Sequence, residues 1–371
     1  MTTWHPDEIA EKLRRVRALM EEKGLEAVYL KRQTNFSWIT GGGRNVVGIT
    51  LELGVAGILV TSTRCYAVCN NIESPRMREE ERLEEKGFEV HDFLWYEDRE
   101  GEIVRKLSGG GRLGADHPFP GAEDLSAEVK RLRYALTPWE VERYREVGYL
   151  TSLAIEETAR EVRPGDKECA VVGRLAHKLW AHGLDYVTIF VAADERISAY
   201  RHPISTEKEV KQRAMLCVNA RKYGLVVSLT RFVNFGPIPE DWYRQYLDNV
   251  RIDCTFMAAT RPGVPVVEAF KRGIEAYKAL GYPDEYKLHH QGGAIGYEGR
   301  DYKVTFTTQE VVQTNQAFTW NPSITGTKSE DTMVATTEGP QLLSKPILFP
   351  SISLEVDGIR FERPGVLEMP G

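Results

Sequence analysis

The sequence predicts an α/β domain followed by an α+β domain, and three observations carry that reading. A chain of 371 residues is too long for one simple module at roughly 150 residues per domain. In its first third, short apolar runs alternate with amphipathic helical segments, the pattern of strands and helices stacked in layers. In the remainder helices come first, then strands, then a helix, then strands, which suits helices laid on one face of a curved antiparallel sheet.

Residues 7–23 place Ile9, Leu13, Val16, Leu19 and Met20 at helical spacing behind the acidic pair Asp7-Glu8, and Gly24 ends this first helix. Strands are expected at 27–30, 54–60 and 65–68, then a charged helix at 76–86 and a strand at 88–93. A strand at 112–115 and a helix near 122–132 close the domain, so the domains are 1–133 and 134–371. Thr137-Pro138 opens a long helix to about residue 163, with Thr137 as N-cap and Pro138 at the first helical position. Pro164-Gly165-Asp166 separates it from a helix at 168–181. Strands at 187–192, 214–218 and 225–229, a helix at 266–280 and further strands complete the chain.

Composition bounds the function. Apolar residues at 42% and charged residues at 27% are those of a packed soluble protein. Forty-eight Lys+Arg against 54 Asp+Glu leave a net charge of −6, which offers no field for a phosphate backbone and excludes nucleic acid as the expected partner. No apolar run approaches the roughly 20 residues of a membrane span, and residues 1–8 show no basic-then-apolar leader, so a cytoplasmic protein is expected. Five cysteines without a Cys-x-x-Cys pair indicate reduced thiols.

The signatures of the commonest hydrolase and nucleotide sites are absent: no Gly-x-Ser-x-Gly, no Walker loop, no His-Glu-x-x-His. His177 and His182 lie five apart, about 140° around a helix, and share no metal-binding face. The glycines from Gly292 to Gly296 lack the setting of a dinucleotide loop and read as a tight turn feeding a strand.

One segment is more specific. Cys217-Val218-Asn219-Ala220-Arg221-Lys222-Tyr223-Gly224, followed by Ser228-Leu229-Thr230-Arg231, resembles the paired-strand motif of the creatinase/prolidase/aminopeptidase P family, the pita-bread fold. In that family one Asp is followed seven residues later by Gly, and a second Asp lies eleven after the first, ahead of Thr-Arg. Cys217 and Ser228 stand where those Asp residues would be. Asn35 to Gly41 resembles the family's segment before the cleft, and Arg131 to Tyr149 the helix opening its catalytic domain. Tyr200-Arg201-His202-Pro203 resembles its His-containing loop. Gly292 to Arg300 resembles the His-Gly-x-Gly segment, with Gly293 at the metal-binding His and Arg300 at a second His. Trp320-Asn321-Pro322 stands at Glu-Pro-Gly, and Gly326-Thr327-Lys328-Ser329-Glu330-Asp331 matches Gly-x-Arg-x-Glu-Asp.

The resemblance implies an N-terminal α/β domain, a C-terminal α+β pita-bread domain and a homodimer. It also implies five ligands for two divalent ions, which become Cys217, Ser228, Gly293, Asn321 and Glu330 in this chain. One carboxylate does not hold two hard dications, so no catalytic metal and no cofactor are expected. His289 and His290 are the remaining donors if the register slips.

Creatinase is the precedent within the resemblance: it lacks metal and uses a loop His with the last Glu to hydrolyse a C–N bond. His202 and Glu330 match those two positions and are the expected catalytic pair. Glu330 equally reads as a structural partner of Lys328 or Arg231, and His202 as an ordinary loop residue. Arg44, beside Gly41-Gly42-Gly43, is a candidate clamp for a substrate carboxylate. Arg231, Arg300 and Tyr297 are further substrate-binding candidates, while Cys217 reads as a buried small hydrophobe rather than a nucleophile.

The function expected is a metal-independent hydrolase, or related lyase, acting on a C–N bond of a small carboxylate-bearing amide or guanidino compound. Two alternatives stand beside it. One is a catalytically dead peptidase-fold protein that binds a peptide or partner; the other is an Xaa-Pro aminopeptidase or dipeptidase with an unusual metal site.

Overall fold

The computed structural model describes residues 4–371, which separate into two compact units, one ending at Glu140 and the other running from Val141 to Gly371. The division falls beyond the expected boundary at residue 133, inside the first turn of the helix that Thr137 caps.

In the first unit α1 (Pro6–Lys23) buries Ile9, Val16, Leu19 and Met20 and stops where Gly24 turns left-handed at φ +63. It is followed by β1 (Ala27–Arg32), α2 (Gln33–Ile39), β2 (Leu53–Thr61), β3 (Cys65–Asn70), α3 (Ser74–Glu79), β4 (Glu89–Phe93), α4 (Glu100–Leu107), β5 (Leu113–Ala115), β6 (Ala122–Asp124) and α5 (Ser126–Leu132). The strands form one six-stranded sheet in the order β4-β3-β2-β1-β5-β6. β2 runs antiparallel to both its neighbours and the other pairings are parallel. Two expected helices are shorter than the pattern implies. α3 ends at Glu79, and Arg82 at φ +52 has a backbone that no right-handed helix continues. The segment 122–132 splits into β6 and α5, with the Asp124 carboxylate accepting from Ser126 N at 2.9 Å between them.

The second unit is entered by α6 (Pro138–Glu161), whose start is a reciprocal cap. Glu140 N donates to Thr137 Oγ1 at 3.3 Å while Thr137 N donates to the Glu140 carboxylate at 2.7 Å. Then come α7 (Glu168–Ala181), β7 (Asp185–Ala193), α8 (Glu195–Ala199), β8 (Arg213–Lys222), β9 (Leu225–Phe235), α9 (Glu240–Ala259) and α10 (Val266–Ala279). The chain continues through β10 (Gly292–Ala294), β11 (Tyr302–Lys303), β12 (Gln316–Trp320), β13 (Ser323–Ile324), β14 (Thr327–Lys328), β15 (Asp331–Thr336) and β16 (Gly339–Leu342). β17 (Ser351–Val356), β18 (Ile359–Pro364) and β19 (Leu367–Met369) end it.

The two larger sheets are ordered β19-β9-β8-β7 and β11-β10-β12-β15-β16, and β13-β14 and β17-β18 pair as two-stranded sheets. Side chains of α9 and α10 share one apolar core with β8, β9, β12 and β15. Phe256 of α9 stacks on Trp320 of β12 with ring centroids 4.6 Å apart, and each such buried side chain contributes about 1.5–3 kcal/mol. α9, 20 residues long, was not anticipated from the sequence. Among the described residues no helix is long and apolar enough to cross a membrane.

A chain of buried charges braces this core. Arg231 is bound to Glu156 at 2.9 Å and to Asp331 at 3.0 Å; Asp331 also meets Arg363 at 2.9 Å, and Arg363 meets Asp253 at 2.7 Å. Each ion is countered by opposite charge, the condition under which buried ions are tolerated.

Candidate active site

β8 and β9 form a tight hairpin through Tyr223 and Gly224, both at positive φ, the backbone of a two-residue turn matched to strand twist. The register sets Cys217 opposite Thr230 and Asn219 opposite Ser228, so period-two alternation presents all four to one side. Glu330 arrives on that side from the end of the second sheet, while its neighbour Asp331 points into the buried charge chain.

The Glu330 carboxylate is fully engaged. Oε1 accepts from Ser228 Oγ at 2.7 Å and from Arg300 Nη2 at 3.2 Å, and Oε2 accepts from Thr230 Oγ1 at 2.8 Å and from Lys328 Nζ at 2.9 Å. Burial alone would raise this acid, but Lys328 and then Arg300 outweigh it and hold the carboxyl far below the usual range. Lys328 Nζ is also 3.8 Å from Cys217 Sγ. Burial pushes the Cys217 thiol up despite Lys328, so it stays protonated and is no nucleophile at neutral pH.

Glu330, Lys328, Arg300 and Cys217 line a cavity of about 350 Å³ together with Thr188, Phe190, His202, Asn219, His290 and Asn321. His202 stands exposed in the loop after α8, with its Nε2 3.1 Å from His289 Nε2. Burial, then Lys328, lowers the His202 imidazole below its ordinary value, which leaves a neutral ring at pH 7. Asn321 is buried, and its Oδ1 has no hydrogen-bond partner among the described residues. With neutral imidazoles, the described lining carries two cations, Lys328 and Arg300, against one carboxylate.

The expected site residues separate accordingly. His202, Glu330, Arg300, Cys217 and Asn321 line one cavity, and Ser228 reaches it through Glu330. Arg231 is corrected: it is 1% exposed and spent on Glu156, Asp331 and two backbone carbonyls, with no face left for substrate. Tyr297 is 1% exposed and is not among the residues that line the cavity. Arg44 belongs to the first unit, where its backbone N donates to Glu81 and its carbonyl accepts from Arg76. Lys328, Asn219, Thr188 and Phe190 are lining residues that sequence reasoning missed; the Lys in the Gly-x-Arg-x-Glu-Asp pattern was the available signal for the first.

The five positions that the resemblance gives to ion ligands do not fit a pair of dications. A Cβ at Gly293 would stand 2.2 Å from the Tyr302 carbonyl oxygen, and its φ is +153, so no His fits there without moving backbone. Cys217, Ser228 and Asn321 bring no carboxylate, and the one on Glu330 already has Lys328 and Arg300 as counter-ions.

Comparison with known proteins places these features. The model of metallopeptidase family M24 matches residues 142–363, and that of the creatinase/prolidase N-terminal domain matches residues 12–147. A Xaa-Pro dipeptidase of Pyrococcus furiosus is 22% identical over 360 residues, 90% of this chain and 98% of its own. An uncharacterized peptidase of Staphylococcus aureus is 21% identical over 232 residues, 60% of this chain, and the match spans only 65% of that relative's length. Among solved structures, a dipeptidase from Pyrococcus horikoshii superposes with a TM-score of 0.77 at 17% identity, covering 96% of this chain and all of its own.

Proposed function

This chain belongs to metallopeptidase family M24, with a creatinase/prolidase N-terminal domain, and from that premise we propose that it is a hydrolase that splits the C–N bond of a small carboxylate-bearing amide or guanidino compound without a two-ion centre. One observation carries the reading: Lys328 Nζ, 2.9 Å from Glu330 and 3.8 Å from Cys217, puts a fixed protein cation among the ligand positions.

In this reading Lys328 and Arg300 attract the substrate carboxylate and polarise the scissile carbon's electronegative substituent. Neutral His202, steadied by His289, takes a proton from water as the water oxygen bonds to the scissile carbon. The same proton passes to the leaving nitrogen as the C–N bond breaks, so the products are an acid or urea and an amine. Glu330, with all its acceptor positions taken, is a positioning residue for the two cations rather than a proton carrier. Buried Asn321 Oδ1 is the acceptor left for a substrate N–H. The homodimeric, cytoplasmic state implied by the resemblance belongs to the same proposal.

The test is a panel of N-acyl amino acids, dipeptides and guanidino acids with their methyl esters, which lack the carboxylate charge, assayed for released amine. Turnover confined to the free acids is expected, and equal turnover of the esters overturns the charge argument. Xaa-Pro dipeptides, the class named for the Pyrococcus furiosus relative, are themselves carboxylate-bearing amides and belong in the panel. The saturation of Glu330 also favours a second reading, a binding cleft without turnover, for which the whole panel stays intact while some members bind.

A further inference from the structure

We propose that His202, His289 and His290, none of them among the five positions discussed above though His202 and His290 line the same cavity, form a mononuclear site for a divalent transition-metal ion. One nitrogen from each ring lies within 4.8 Å of the other two, and the Nε2 atoms of His202 and His289 are already 3.1 Å apart. Imidazole donors about 2.0–2.1 Å from a tetrahedral ion are roughly 3.4 Å from one another. His290 therefore closes on the ion by a side-chain rotation of little more than an ångström.

The platform under the rings is rigid. His289 and His290 follow the 3-10 turn Glu285–Leu288, and Gln291 behind them is held three ways. Its Nε2 donates to the carbonyls of His289 at 2.7 Å and Tyr286 at 3.2 Å, and its Oε1 accepts from Tyr277 OH at 2.8 Å. Arg201, next to His202, is bound to Glu285 at 2.7 Å, which ties the loop of the first ligand to the turn that presents the other two. His289 and His290 stack on one another with ring centroids 4.3 Å apart. Their buried Nδ1 atoms have no hydrogen-bond partner among the described residues. Three neutral imidazoles with no thiolate select the borderline ions Zn²⁺, Co²⁺, Ni²⁺ and Cu²⁺ over Mg²⁺ or Ca²⁺.

An ion held there engages the imidazole of His202, so in the proposed reaction it acts as an inhibitor. That consequence rests on the functional reading, while the binding itself does not. The test uses Co²⁺ alone, titrated into the full chain and followed by visible absorption. One Co²⁺ per chain is expected, with a ligand-field spectrum lacking thiolate charge transfer. His202→Ala and His289→Ala should each weaken binding by about ten-fold or more, and Cys217→Ser should leave it unchanged. His202 is exposed, so its variant folds and keeps the test decisive. Absence of saturable binding, a stoichiometry near two, or binding that survives both histidine substitutions overturns the site. None of these readouts needs a substrate, so failure here leaves the hydrolase reading standing, and the converse holds.

Discussion

Lys328 Nζ lies 2.9 Å from Glu330 Oε2, and both side chains are buried. This pair, with Arg300 on the opposite oxygen, gives the cleft an excess of one positive charge built from the chain itself. The carboxylate anchors the cations, and the cations set what the cavity attracts.

Replacing Glu330 by Gln leaves two buried cations without a counter-charge. Urea unfolding should report a loss of about 3–5 kcal/mol, the usual cost of breaking a buried ion pair from one side. A variant as stable as the parent would show that Lys328 and Arg300 are solvated and the pairing immaterial.

The pH dependence of that difference follows from its sign. The folded-state acid is held low by Lys328 and Arg300 against burial, so its stabilisation is complete above the unfolded carboxyl value of about 4.3. It is lost as pH falls through and below that value. The stability gap between parent and Glu330→Gln should stay constant from pH 7 to about 5.5 and narrow below about 4.3. A gap that shrinks between pH 7 and 6 would contradict the direction of the shift.

His202→Ala should lower kcat by roughly 10²–10⁴ with KM little changed, as for a group that acts in the transition state. An equal rise in KM with unchanged kcat would make His202 a binding residue.

The two arginines should part company. Arg300→Gln removes a cavity cation and should raise KM for carboxylate substrates by about ten-fold or more, the worth of a charged hydrogen bond. Arg231→Met breaks the buried chain through Glu156 and Asp331, and should cost about 3–5 kcal/mol of stability without altering discrimination between acid and ester. The reverse assignment, measured in one set of kinetics and unfolding curves, would relocate the substrate subsite.

Gly293→His restores the residue type of the related ligand position but not its geometry. Its Cβ meets the Tyr302 carbonyl at 2.2 Å and its positive φ costs about 1–3 kcal/mol. Lower thermal stability with no gain of a two-ion site is expected; stoichiometric uptake of two Mn²⁺ would show that the strand yields.

Where local signals agreed with the fold, the sequence was legible. Thr137-Pro138 announced α6 because cap and first turn are neighbours in the chain, and the structure adds Glu140 to that cap. α9 escaped because polar Asn249 and Asp253 lie on its buried face, where tertiary partners replace the apolar pattern that marks a helix. In the site, the frame was readable from the Cys217-to-Arg231 spacing, while the ownership of charges was not. Arg231 and Lys328 are equally plausible partners for Glu330 on paper, and only the pleat, which turns Asp331 to Arg231 and Glu330 to Lys328, decides between them.

The most direct measurement is turnover of the best free-acid substrate by chelator-treated protein, with and without added Mn²⁺ or Co²⁺. Activity is expected to survive chelation and not to rise when ions are returned. Activity abolished by chelation and restored by either ion would contradict the proposed function.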